Sequence, residues 1–190
     1  RRLSVTEQIE EAKERIQGKL PKNGEVGYLA YFQAFTNTYA PVEVLRKVYE
    51  EAMDAPGVVA LSIATRPDCL QSEIVELLEE LNRRKPIFVE LGLQTMHEES
   101  AVRIRRGYPS AVFEDAVQRL SQAGIKVVVH LILGLPYETK EDMLATVQYV
   151  AESKADGIKL SDNVTILNEE DMMIFDNIFT QNKKCVLLIN

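Results

Sequence analysis

Cysteine is scarce in this sequence: Cys69 and Cys185 are the only two, too far apart to form a metal-ligand motif, and neither a disulfide framework nor a signal peptide is visible. The cytoplasm is the compartment expected by default. Long hydrophobic runs are also missing. The longest, Val127 to Pro136, is interrupted by His130 and reaches about half of the roughly 20 residues that a membrane span needs, so no transmembrane segment is expected. Positive charge is in short supply as well. A formal net charge of -7 argues against a protein that grips nucleic acid over its whole surface, while leaving room for a local basic channel. What is present, 190 residues with 46% hydrophobic and 27% charged, suits one globular domain that removes roughly 70% of its unfolded surface from water.

Periodicity reads as a βα repeat. EVGYLAYFQAF (25–35) reads as a strand, followed by PVEVLRKVYEEAMDA (41–55), with Pro41 at the first helical position and apolar residues at helical spacing. The pair recurs as GVVALSIATRP then SEIVELLEELNRR, with Ser72 as the expected N-cap; as PIFVELGLQT then SAVFEDAVQRLSQAG; and as IKVVVHLILGLP then TKEDMLATVQYVAES. DGIKLSD supplies a fifth strand, a helix over 5–17 precedes the first, and MHEESAVRIRRGY (96–108) predicts a short helix and a basic loop. Strand starts near 25, 58, 86, 125 and 157 suit strand–helix–parallel strand units.

Side chains alternate across a strand, so residue parity assigns faces. Ile87, Val89, Leu91 and Leu93 form one apolar set and Val127, Val129, Leu131 and Leu133 another, with Val59, Leu61 and Ile63, then Ile158 and Leu160, continuing it. The opposite parity holds Tyr31, Gln33, Ser62, Arg66, Glu90, Gln94, His130 and Lys159, interleaved with small residues and concentrated toward the strand C-termini. In parallel α/β folds that is where ligands bind. The face is either a ligand cavity or a core whose polar members satisfy one another, for instance Glu90 with Arg66.

Five stretches in chain order, YFQAFTNTYAP, SIATRPDCL, ELGLQT, RRGY and HLILGLPYET, resemble the radical S-adenosylmethionine (radical SAM) superfamily over roughly residues 4–160. The likeness is to an uncharacterised bacterial group and, more distantly, to oxygen-independent coproporphyrinogen oxidases and the Elongator catalytic subunit. The resemblance implies an α/β fold, a partial (β/α)6-type TIM barrel of parallel strands over 1–162, with the first strand and cluster loop outside the sequence given. It implies S-adenosylmethionine as cofactor, a [4Fe–4S] cluster in the full-length protein, an electron donor as partner, and a substrate of unknown identity. The Elongator-like TRPD (65–68) makes tRNA a candidate.

By the same resemblance, Gln33, Ala34 and Phe35 occupy the positions whose backbone meets the methionine amino group, the alternative being a plain turn. Arg66, Glu90 and Gln94 count among the cofactor-binding candidates, and Arg106 matches an arginine that meets the cofactor carboxylate, the alternative being a solvated run of Arg103, Arg105 and Arg106. Gly134 and Leu135 match a turn whose backbone meets adenine. His130 stands where several relatives carry aspartate, as a substrate-facing acid or base or as a hydrogen-bonded lumen residue. Ala64 departs from the acidic residue of related families. The cluster needs three closely spaced cysteines, and neither Cys69 nor Cys185 supplies them. A cluster-free ligand-binding barrel is therefore the alternative, and a lyase using Lys159 as a Schiff-base amine is a third reading. The tail, 163–190, reads as a helix (169–179) and a short strand (185–189), or as a discontinuity in the sequence.

Overall fold

A computed structural model describes residues 3–19, 26–161 and 186–189. Its sheet is wholly parallel, with strands in chain order: β1 (Tyr28–Phe32), β2 (Val58–Thr65), β3 (Ile87–Gln94), β4 (Lys126–Ile132), β5 (Gly157–Ser161) and β6 (Val186–Ile189). The tail thus contributes a strand to the same sheet, whereas the helix expected over 169–179 lies outside the described residues. Helices α1 (Val5–Ile16), α2 (Val42–Asp54), α3 (Ser72–Asn82), α4 (Glu98–Arg103), α5 (Ser110–Gln122) and α6 (Lys140–Glu152) intervene.

Local sequence explains most of these boundaries. Ser4 with Glu7, and Thr139 with Asp142, close reciprocal capping boxes that satisfy the first N–H groups of α1 and α6. Ser72, expected to cap α3, is its first helical residue instead. Gln71 holds the cap position in extended conformation without a side-chain bond. Pro41 likewise sits one place earlier than expected, at the N-cap of α2.

The odd-numbered residues of β3 and β4, with Leu61, Ile63, Ile158 and Leu160, are buried against the helices in one continuous core. Val59 is the exception to the parity expectation. β2 shifts register against β1 between Val58 and Ala60, so Val58 is packed in the core and Val59 points outward, 54% exposed.

The sheet is strongly curved. Neighbouring strands lie about 4.8 Å apart, so β1 and β5 in a flat sheet would be separated by roughly 19 Å, beyond the joint reach of two side chains. Yet Lys159 Nζ on β5 donates to Tyr31 Oη on β1 at 3.0 Å. The face away from the helices is therefore concave, as expected for a partial barrel.

Candidate functional site

A cluster on the concave face takes one side chain from each of β1 to β5: Tyr31, Ser62, Glu90, His130 and Lys159. Tyr31 is level with Ser62 and His130 with Lys159, but Glu90 pairs in register with Ala64, and Gly92 with His130. The members climb by two residues at β2/β3 and again at β3/β4. That is the stagger of tilted strands, which brings residues of equal height together despite unequal register.

Glu90 is the hub. Its Oε2 accepts from Tyr31 Oη at 2.8 Å, His130 Nε2 at 2.5 Å and Lys159 Nζ at 3.4 Å, and its Oε1 accepts from Ser62 Oγ. An ionised carboxylate only accepts, so the hydrogen in the imidazole contact is on Nε2. Burial alone pushes this carboxyl up, and the donors from His130, Ser62 and Tyr31, with the Lys159 charge, outweigh it and hold it at about 2. Lys159, itself buried, is pushed up despite desolvation because Tyr31 and Glu90 favour the ammonium. A Schiff-base lysine needs the opposite shift, so this geometry disfavours the lyase reading. Burial raises the Tyr31 phenol.

Above the cluster, a cavity of about 510 Å3 opens at the C-terminal ends of the strands. Gln33, Phe35, Arg66, Glu90, Gln94, Arg106, His130 and Lys159 line it, while Ala34, Gly134 and Leu135 do not. Gln94 takes a left-handed backbone (φ 69), and its carboxamide folds back over Gly92; a Cβ at 92 would meet Gln94 Nε2 at 2.6 Å. Gly134 also has positive φ (76), as a strand-ending turn requires.

Two expectations change. Arg66 does not pair with Glu90: it forks onto Asp68 at 2.9 and 2.7 Å and stacks 5.1 Å from the Tyr108 ring centroid. Arg106 turns inward. Its Nε donates to Tyr108 O, its Nη1 to Leu93 O and Thr95 O, and its Nη2 to Glu98 and Ser110. The guanidinium that was expected to meet a ligand carboxylate is thereby engaged on every nitrogen. Sequence reasoning set Tyr31 and Ser62 on the polar face without recognising them as members of the cluster. It missed Tyr108, whose hydroxyl donates to Gly92 O and is pushed up to about 12 by burial, and Arg105, which also lines the cavity.

No grouping of three or more histidine, cysteine or acidic side chains suited to a metal ion occurs among the described residues, and no described helix is long and apolar enough to cross a membrane. Cys69 is buried at a strand–helix turn, where burial raises its thiol. The residues of this chain do not fit an iron–sulfur cluster, for which cysteine thiolates are the usual ligands.

A curved, wholly parallel sheet with a polar cavity at its strand C-termini defines a partial-barrel α/β fold. The family model of the radical SAM superfamily matches residues 1–150, and the chain belongs to that superfamily. It is 46% identical over 153 residues to the protein YtqA of Bacillus subtilis, covering 80% of this chain and 47% of YtqA, so it spans under half the length of that relative. A tRNA uridine(34) acetyltransferase of Methanocaldococcus jannaschii is 40% identical over 79 residues, 41% of this chain and 14% of that enzyme. Among solved structures, Methanocaldococcus infernus Elp3 with an N-terminal deletion superposes with a TM-score of 0.68 at 18% identity, covering 97% of this chain and 51% of that one, which shows the fold.

Proposed function

We propose that the cavity at the strand C-termini binds S-adenosylmethionine, and that the protein is a radical SAM enzyme that cleaves it reductively to a 5′-deoxyadenosyl radical for hydrogen abstraction. The observation carrying this reading is the cavity lined by Gln33, Arg66, Glu90 and Gln94 above a cluster drawn from five strands, in a chain of this superfamily. A [4Fe–4S] cluster, which would supply the electron, would be held by cysteines other than the two of this chain, in the full-length protein, with an electron donor as partner.

Within this chain the residues bind and orient. The Gln33 and Gln94 carboxamides suit ribose hydroxyls or an ammonium. The main chain at Gln33–Ala34–Phe35 and at Gly134–Leu135 suits the methionine amino group and adenine, as the superfamily resemblance implies. Glu90 and Lys159 form a charged floor, and Glu90 holds His130 through Nε2 at the cavity wall. tRNA is the substrate class we favour, on the TRPD signature and the partial likeness to a tRNA uridine acetyltransferase. The test is anaerobic reconstitution of the full-length protein, followed by absorbance and product analysis. Cluster absorbance with release of 5′-deoxyadenosine from S-adenosylmethionine is expected. Absence of both would leave the cluster-free ligand-binding barrel.

A further inference from the structure

The two most exposed large apolar side chains among the described residues, Phe35 at 97% and Tyr137 at 83%, both sit on left-handed backbone. Four non-glycine residues among those described have positive φ: Phe35 (64), Gln94 (69), Arg105 (57) and Tyr137 (74). The first three line the cavity, and Tyr137 lies outside it. A bulky side chain in that conformation is strained, a cost that surrounding packing normally offsets. Neither ring is buried, so packing within the chain does not account for an aromatic at either position.

Tyr137 nevertheless has a fixed place beside the cavity. Its neighbour Glu138 accepts from Thr95 Oγ1 at 2.6 Å, one residue past the cavity-lining Gln94. The Arg103 guanidinium stacks 4.7 Å from the Tyr137 ring centroid, and Ile104 and Arg105, next along the chain, line the cavity. The ring is thus tied to the ends of β3 and α4. A guanidinium on one face leaves the other face of so exposed a ring open. Arg103 itself is lightly held: its ion pair with Glu99 spans 3.7 Å between side chains 49% and 89% exposed, a pair of little strength.

We propose that Tyr137, backed by Arg103, is a stacking platform at the edge of the cavity for an unpaired nucleobase of an RNA substrate, with the Arg103 guanidinium meeting the adjoining phosphate. This rests on the proposed function, in which tRNA is the substrate class we favour. Every base has a π-face, and an aromatic ring holds one by stacking whatever the sequence. An arginine beside the ring supplies paired N–H donors that match phosphate oxygens. The stacked neighbour of Tyr137 is a cation, so the pair suits a flat anionic partner better than the apolar side chains of a protein surface. In a chain of net charge -7, contact with RNA has to be local, and this pair is such a contact.

The test is fluorescence anisotropy on the full-length protein with a labelled single-stranded RNA and an RNA duplex of equal length, for the wild type, Tyr137→Gly, Tyr137→Trp and Arg103→Gln, with thermal melts of each. Tyr137→Gly is expected to weaken single-strand binding about tenfold, the size of one lost base stack, while Tm holds or rises because glycine relieves the left-handed strain. Tyr137→Trp keeps a ring and is expected to bind within about twofold of wild type. Arg103→Gln is expected to flatten the salt dependence by one phosphate, a change of about 0.7 in the log–log slope. Duplex binding is expected to be the same in Tyr137→Gly as in wild type, since paired bases offer no free face. Unchanged single-strand affinity in Tyr137→Gly would overturn this inference and leave the proposed function standing, and so would equal losses for strand and duplex. A Tm lowered together with binding, and not restored by tryptophan, would overturn it by making Tyr137 structural. No binding of the strand by wild type would overturn it too, and leave the exposed ring to a protein partner. Release of 5′-deoxyadenosine, measured separately, decides the proposed function by itself, so failure of the one is not mistaken for failure of the other.

Discussion

The convex and concave faces of the sheet are built by the same strands and held in opposite ways. On the convex side Leu91, Val129, Leu131 and Ile158 are fully buried against helices, and their contribution is area removed from water, indifferent to pH and to direction. On the concave side Tyr31, Ser62, Glu90, His130 and Lys159 are joined by directional hydrogen bonds around one carboxylate. Burying a carboxylate and an ammonium without partners would cost several kcal/mol, so that side is stable only as a complete set. A face whose members satisfy one another from below while opening to a cavity above is suited to ligand binding. The face packed against helices is suited to holding shape.

This contrast can be broken most forcefully on the packed side. Leu91→Ala should cost about 2–5 kcal/mol in urea denaturation, by a similar amount at pH 7 and pH 4; a loss under 1 kcal/mol would mean that this face is not close-packed. Glu90→Gln should cost roughly 2–3 kcal/mol at pH 7, but with pH dependence. The Glu90 carboxyl is depressed to about 2 from an ordinary value near 4.5. Its stabilisation is therefore fully present above pH 4.5 and lost as pH falls through about 2. The gap between wild type and variant should narrow over that window, and a gap independent of pH would remove the charge network as its cause.

A smaller effect separates ligand binding from stability. In Gly92→Ala the new Cβ displaces the flexible Gln94 carboxamide that lies 2.6 Å away, so stability should change by only about 1 kcal/mol. Affinity for S-adenosylmethionine, measured by calorimetry, should fall at least severalfold if Gln94 is a ligand contact. The smallest effects test the helix ends on the packed side. Ser4→Ala should cost about 1 kcal/mol through loss of its capping box, and Ser72→Ala less than about 0.5 kcal/mol, because Ser72 is not a cap. Thermal melts of the two variants decide the order.

Much of this organisation was legible before the fold was known. Period-two alternation separated Val89, Leu91 and Leu93 from Glu90 and Gln94, because parity is a property of a single strand. Pairings across strands were not legible. Glu90 meets His130 and Lys159 and not Arg66, because the partners depend on strand stagger and on a curvature that brings β5 over β1. Val59 escaped the parity rule because a register shift between strands is a relation between two segments.

The amino-acid sequence by itself determined the βα order, the faces of β3, β4 and β5, and the set of polar side chains available to a cavity, since each follows from local periodicity and from the chemistry of single residues. Only the tertiary structure decided which of those side chains are consumed by one another and which remain for a ligand. Arg105 and Arg106 are the same residue type one position apart. Both line the cavity, but the packing at this helix end buries Arg106 among backbone carbonyls and leaves Arg105 exposed. That choice depends on where the surrounding carbonyls lie, which is fixed by packing across distant segments and not by the order of residues along the chain.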